Sequence, residues 1–305
     1  MKTLRDKAIV ITGAGGTLAG AVEEALVEDG ARPILIDRDA VRIRARAQSF
    51  GTLAIEENLL TRESAERAAQ AALQRMGRID GLIHLVGDVI AGRLEDAASE
   101  DFDAVFDSHV RTLFHTLQAL LPHLRAQPEA FIAGLGARQA FHGGLPGATL
   151  FAAAKGAGAN LLRSLDAELA GSNVTVSIIT PLGNVDSPTS RAKLPTFGPE
   201  NWITPAAIGR AFRAARHLQR VEPRPLDVLP LAAAEEQGRF ITFPGIEVHS
   251  SADGDRAVIY RDAAGDLLYP QSIAELDGLL AELAAQGFAV TEAEVQAFLL
   301  DAVRR

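Results

Sequence analysis

The first residues able to do chemistry in this 305-residue chain are glycines. Thr12-Gly13-Ala14-Gly15-Gly16-Thr17-Leu18-Ala19-Gly20 follows the apolar run Ala8–Ile11 and leads into a helical pattern. Glycines let a backbone approach a pyrophosphate closely, and a helix starting just beyond them offers free N–H groups and a partial positive charge. The second signal is Asp37, which closes Ile34-Leu35-Ile36-Asp37, 21 residues after Gly16. A carboxylate there accepts both ribose hydroxyls of a dinucleotide and repels a 2′-phosphate, which favours NAD over NADP. Arg38 opposes that preference, because a cation at that place holds a 2′-phosphate, and Asp37 could instead cap the following helix. The chain has no cysteine, which excludes disulfides, thiolate metal sites and cysteine nucleophiles. No His-x-x-x-His or clustered carboxylate pattern points to a metal. Tyrosine occurs twice, at Tyr260 and Tyr269.

The elements that must carry these residues alternate in type. Ala8–Thr12, Pro33–Asp37, Thr52–Glu56, Gly81–Leu85, Ala130–Leu135 and Thr175–Thr180 read as strands. They are apolar nearly throughout, as parallel strands covered on both faces are. Between them Leu18–Asp29, Arg62–Met76, Asp101–Arg125 and Phe151–Ala170 read as helices, the last with Leu161, Leu162, Leu165 and Leu169 at helical spacing. This alternation predicts an α/β fold, a Rossmann-like doubly wound parallel sheet with helices on both faces. The ligand belongs at the carboxyl ends of the strands, near Gly13–Gly16 and Gly87. After Ala215 the text changes. Val221–Pro230 holds three prolines and reads as a linker. Short strand-like pieces follow at Arg239–Phe243, Ile246–Ser250, Ala257–Arg261 and Leu267–Tyr269, with a hairpin expected at Asp262–Asp266. Two helices then start at capping boxes, Ser272 with Glu275 and Thr291 with Glu294. We therefore expect a dinucleotide-binding domain over 1–217 and a small C-terminal α+β appendage over 218–305, acting in packing, oligomerisation or as a lid. The appendage carries 15 acids against 7 bases, while the whole chain carries 39 against 30. With no basic face, nucleic acid is not an expected partner. No apolar run reaches the length of a membrane span and none at the N-terminus fits a signal peptide, so a cytoplasmic protein is expected.

Residues 5–215 resemble the short-chain dehydrogenase/reductase family. The glycine loop is similar to the family's T-G-x-x-x-G-x-G, but the last two glycine places hold Thr17 and Ala19, and Gly13, Gly16 and Ala19 instead fit the G-x-x-G-x-x-G/A spacing of some branches. Asn58-Leu59 matches the pair that touches the adenine. Asp80-Gly81-Leu82-Ile83-His84-Leu85-Val86-Gly87 matches D-x-L-V-N-N-A-G at its ends. Pro181 to Pro188 is similar to the stretch beside the nicotinamide, and Ser190–Pro205 looks like a substrate loop. The resemblance implies nicotinamide dinucleotide binding by Gly13, Gly15, Gly16, Thr17, Leu18, Asp37, Arg38, Asn58, Leu59, Val86, Gly87, Lys155, Pro181, Gly183 and Val185, with an unidentified small molecule as second ligand. It also implies a homodimer or homotetramer packed through the helices at Asp101–Arg125 and Phe151–Ala170.

The same resemblance exposes a departure. The family's proton-transferring tyrosine stands four residues before its lysine, on one helix face. Lys155 is present, but position 151 is phenylalanine, which has no proton to give. The serine place falls at Arg138 and the asparagine place at His109. An alignment slip rescues nothing, because residues 1–259 contain no tyrosine. Three readings stay open. The first is a non-catalytic nucleotide-binding sensor, scaffold or partner subunit. The second is atypical catalysis, with His142 in the loop after Arg138 as leading acid/base, His109, His84 and Lys155 as others, and Arg138 stabilising an oxyanion or holding a carboxylate. The third is loss of nucleotide binding as well.

Overall fold

The computed structural model describes residues 4–140, 146–181, 184–187, 190–191, 202–215, 225–228, 241–243, 246–250 and 256–260. Its strands are β1 (Ala8–Thr12), β2 (Arg32–Asp37), β3 (Leu53–Glu56), β4 (Gly81–His84), β5 (Ala130–Leu135), β6 (Val174–Pro181), β7 (Asn184–Val185), β8 (Trp202–Ile203), β9 (Pro225–Val228), β10 (Ile241–Phe243), β11 (Ile246–Ser250) and β12 (Arg256–Tyr260). The helices are α1 (Ala19–Glu28), α2 (Ala40–Phe50), α3 (Arg62–Met76), α4 (Ser99–Phe106), α5 (Thr112–Arg125), α6 (Thr149–Glu168) and α7 (Pro205–Ala215).

The main sheet runs β10-β11-β12-β9-β6-β5-β4-β1-β2-β3. All pairings from β3 across to β9 are parallel. This is the doubly wound, Rossmann-like sheet, with its order reversing between β1 and β4. Side-chain alternation along each strand feeds two cores. Ile9, Ile11, Leu35, Ile83 and Ile179 pack with Val22, Leu26, Ile43, Ile208 and Phe212 from α1, α2 and α7. Val10, Ile34, Ile36, Leu82 and Ile132 pack on the other face with Ala65, Ala68, Leu117, Leu120 and Leu162 from α3, α5 and α6. That is why the strands read as unbroken apolar runs: both faces are covered.

Two expectations change in detail. The segment read as one helix over Asp101–Arg125 divides into α4 and α5, joined through the π-helical turn Asp107–Arg111. Such a turn inserts one extra residue, so apolar spacing on either side still reads as helix. The stretch Val221–Pro230, read as linker, contains β9, whose Pro225–Val228 pair with Ile178–Pro181 and extend the parallel sheet. Proline suits that position at the start of a strand. The strand pieces expected near 239–261 are present and continue the sheet antiparallel as β12, β11 and β10. The Asp262–Asp266 hairpin, the strand Leu267–Tyr269 and the two capping-box helices lie outside the described residues. On the outer face, α5 and α6 frame a groove lined by Phe114, Leu117, Leu121, Leu161 and Leu165, on the helices where a second copy is expected. No helix among the described residues is long and apolar enough to cross a membrane.

Candidate functional site

At the carboxyl end of β1 the chain must turn sharply into α1. Gly13 does this at φ 71°, and a Cβ there would stand 2.7 Å from the backbone nitrogen of Val86. The loop after β1 and the loop after β4 thus touch backbone to backbone, which only glycine permits. Gly16 N–H closes the turn on the Gly13 carbonyl at 3.0 Å. Gly16 and Thr17 are exposed, and Gly15 is buried. The N-terminus of α1, at Leu18, has no side-chain cap and no acid in its first turn. Its N–H groups and partial positive charge are left for an anion. Asp37, at the end of β2, accepts from Gly15 N–H at 3.0 Å through Oδ2 and from Asp39 N–H at 2.9 Å through Oδ1. Its carboxylate therefore faces the glycine loop, while Arg38 is exposed. Asn58 is exposed beyond β3, and Leu59 is buried in the core with Ile36 and Ala65. Gly87 follows Val86. A Cβ on it would stand 2.1 Å from Cε1 of the His109 ring. Pro181 ends β6, and Val185 lies in β7, paired with Ile203 of β8. The donor set and the uncapped helix fit a dinucleotide's ribose and diphosphate.

The second half of the site lies deeper, around Lys155. Its Nζ donates to the Leu135 carbonyl at 2.7 Å and stands 5.9 Å from the Phe151 ring centre. Burial lowers its pKa to about 8. His109, carried inward by the π-helical turn, has Nε2 2.7 Å from the Asp88 carbonyl. A carbonyl only accepts, so Nε2 carries the proton and Nδ1 is the acceptor of the neutral ring. Burial, then the Lys155 charge, lower its pKa to about 4. Its ring meets Phe151 edge-on, 5.5 Å between centres. His84, at the end of β4, is held at both nitrogens. Nδ1 is 2.7 Å from Thr12 Oγ1 and Nε2 is 3.4 Å from Thr112 Oγ1. Thr112 spends its proton on the Ser108 carbonyl at 2.6 Å, so the network assigns the His84 proton to Nε2 and the Thr12 proton to Nδ1. Burial, then the Lys155 charge, pull the His84 pKa down to about 3. A cavity of about 20 Å³, lined by His84, His109, Lys155, Val86 and Gly134, lies among these groups. That is room for one water.

The structure thus gathers the expected residues into two groups. Gly13, Gly15, Gly16, Asp37 and Val86 meet at the loop, and Lys155, His109 and His84 meet at the cavity. Arg138 is exposed in the single turn Arg138–Ala140. His142 and Gly183 lie outside the described residues. Sequence reasoning missed Thr12 and Thr112 as partners of His84. It also missed Arg46, whose guanidinium reaches the loop carbonyls of Ala14 and Gly16. Strand and helix spacing gave no signal for either.

The short chain dehydrogenase family model matches residues 7–196. The chain belongs to that family. An uncharacterized oxidoreductase of Staphylococcus epidermidis is 28% identical over 190 residues, covering 62% of this chain and 82% of that protein. One from Staphylococcus aureus is 26% identical over 199 residues, covering 64% and 85%. Among solved structures, a 3-ketoacyl-(acyl-carrier-protein) reductase from Brucella melitensis complexed with NADH shares 21% identity at TM-score 0.67, covering 75% of this chain and 98% of that one. A short chain dehydrogenase from Burkholderia cenocepacia in complex with NADP shares 22% at TM-score 0.67, covering 76% and 100%. The two solved structures share the fold of this chain. In this chain the helix position one turn before Lys155 is filled by Phe151, and the ring of His109 stands beside it.

Proposed function

We propose that this chain is an oxidoreductase that binds NAD in preference to NADP and moves its proton through Lys155 rather than a tyrosine. Gly13, Gly15, Gly16, Thr17 and the N-terminus of α1 would hold the diphosphate, and Asp37 the adenosine ribose. Bound there, a nicotinamide dinucleotide supplies a hydride acceptor or donor. One observation carries the reading. Among the described residues Lys155 is the amine at the site; it is buried, and burial draws its pKa down to about 8, where it exchanges a proton near neutral pH. In alcohol oxidation the neutral amine takes the hydroxyl proton; in carbonyl reduction the ammonium returns it. His109, neutral with Nδ1 as acceptor, lines the same small cavity as that amine and donates from Nε2 to the Asp88 carbonyl.

The edge-on stacking of Phe151 on His109 favours a second reading, a non-catalytic nucleotide-binding protein, because it seals the lysine side with apolar surface. Calorimetric titration with NADH and NADPH, followed by turnover of a panel of secondary alcohols and carbonyl compounds, separates the two. The catalytic reading expects NADH to bind more tightly than NADPH. It also expects oxidation to rise with pH towards a plateau above about pH 8, and Lys155→Met to cut turnover by about 10²-fold or more. NADH binding with no turnover of any compound selects the second reading. Binding of neither nucleotide at millimolar concentration refutes both.

A further inference from the structure

The outer wall of the glycine loop is held by a side chain that the glycine motif does not call for. Arg46, on α2, donates through Nη1 to the carbonyls of Ala14 and Gly16, the latter at 3.2 Å, and through Nη2 to Gly16 again at 3.3 Å. Its guanidinium carbon also lies 3.7 Å from where a Cβ on Gly20 would stand, so it bridges the loop and the first turn of α1. Behind it Glu23 is buried on α1, with Oε1 accepting from the Thr52 hydroxyl at 2.5 Å. Burial raises the Glu23 pKa, and the Thr52 hydroxyl and the Arg46 charge oppose that rise. Arg46 thus joins α2 to the loop, and its charge also acts on the buried Glu23 of α1.

A trans peptide unit carries its C=O and N–H on opposite edges. A cation that draws the Ala14 carbonyl towards α2 turns the Gly15 N–H the other way, and that N–H donates to Asp37. By the same rule, holding the Gly16 carbonyl turns the Thr17 N–H away from Arg46. We propose that Arg46 is a positioning residue for the nucleotide, clamping the outer carbonyls of Ala14 and Gly16 so that the Gly15 amide holds Asp37 for the ribose and the Thr17 amide faces the diphosphate. This rests on the reading of the loop as a dinucleotide site. The guanidinium also adds a full positive charge beside the helix end that meets the diphosphate.

The test titrates wild type, Arg46→Ala and Arg46→Lys with NADH, NADPH and ADP-ribose, and follows amide hydrogen exchange at Gly15 in the free proteins. Arg46→Ala should weaken all three ligands by about tenfold or more and speed exchange at Gly15. Arg46→Lys keeps the charge without the two-carbonyl grip and should fall between, and it serves alone if the alanine variant does not fold. NADH affinity unchanged within about twofold, with unchanged Gly15 exchange, overturns the proposal. A loss confined to NADPH also overturns it, since that would mark Arg46 as a 2′-phosphate ligand. Failure of the wild type to bind any of the three sinks the nucleotide reading itself, and faster Gly15 exchange in the variant would then leave only a structural clamp.

Discussion

The two ends of the cleft handle polar groups in opposite ways. At the glycine loop the chemistry is carried by backbone amides and a half-buried carboxylate, with Gly16 and Thr17 open to solvent. At the Lys155 end it is carried by Lys155, His84, His109, Thr12 and Thr112, all buried. An exposed donor set is satisfied by water and waits for a ligand at little cost to the fold. A buried set has to satisfy itself, since an orphaned donor or acceptor there costs about 1–3 kcal/mol. The loop end should therefore tolerate change with loss of binding, and the lysine end should convert change into loss of stability.

The largest expected effect that sharpens this contrast is on acid stability. His109 and His84 are buried neutral, so the unfolded chain binds more protons than the folded one between pH 6.5 and their lowered values of about 4 and about 3. Stability is then complete above about pH 6.5 and is lost as pH falls through that window, by up to roughly 3 kcal/mol for His109. Thermal melts from pH 7.5 down to pH 4.5 should show Tm falling, and His109→Asn should flatten the slope. A melting temperature independent of pH over that range would mean that the cluster is solvated and the contrast is wrong.

Next is Thr12→Val, which keeps shape but removes the donor to His84 Nδ1. It should cost about 1–2 kcal/mol in denaturant unfolding and leave NADH affinity nearly unchanged. Loss of NADH binding at full stability would reverse the assignment of the two ends.

The smallest effect on the fold belongs to Asp37→Asn. The amide keeps one of the two bonds that Asp37 accepts, from Gly15 and Asp39, and gives up the other at a half-buried position, so unfolding should change by about 0.5–1 kcal/mol. NADH affinity should fall about tenfold, narrowing the gap to NADPH, as calorimetry would show. A variant that keeps the full preference for NADH would remove Asp37 from the selection of cofactor.

The ease with which the chain could be read follows the same division. The strands were legible because coverage on both faces makes each an unbroken apolar run, and α3 was legible to the residue because Thr61 caps it and Gly77 ends it. The helix pattern over 101–125 hid its interruption, since a π-helical turn shifts the apolar stripe without breaking it. The prolines near 225 concealed a strand, because they punctuate loops far more often than they start parallel strands. The glycine loop and Asp37 were legible since local backbone geometry demands those residue types in that order. His84 was visible only as a residue in an altered motif, and its partners came from β1 and α5, far apart in the chain.

Composition and order alone determined that this is a parallel α/β protein with a nucleotide-type loop, and that no tyrosine before residue 260 can transfer its proton. Periodicity and local turn chemistry are properties of neighbouring residues, so the chain states them directly. Only the tertiary structure decided that Lys155 is buried with two neutral imidazoles around a water-sized cavity, and that Arg46 grips the loop from behind. Those facts depend on desolvation and on which distant side chains meet, and both exist only once the two faces of the sheet are packed.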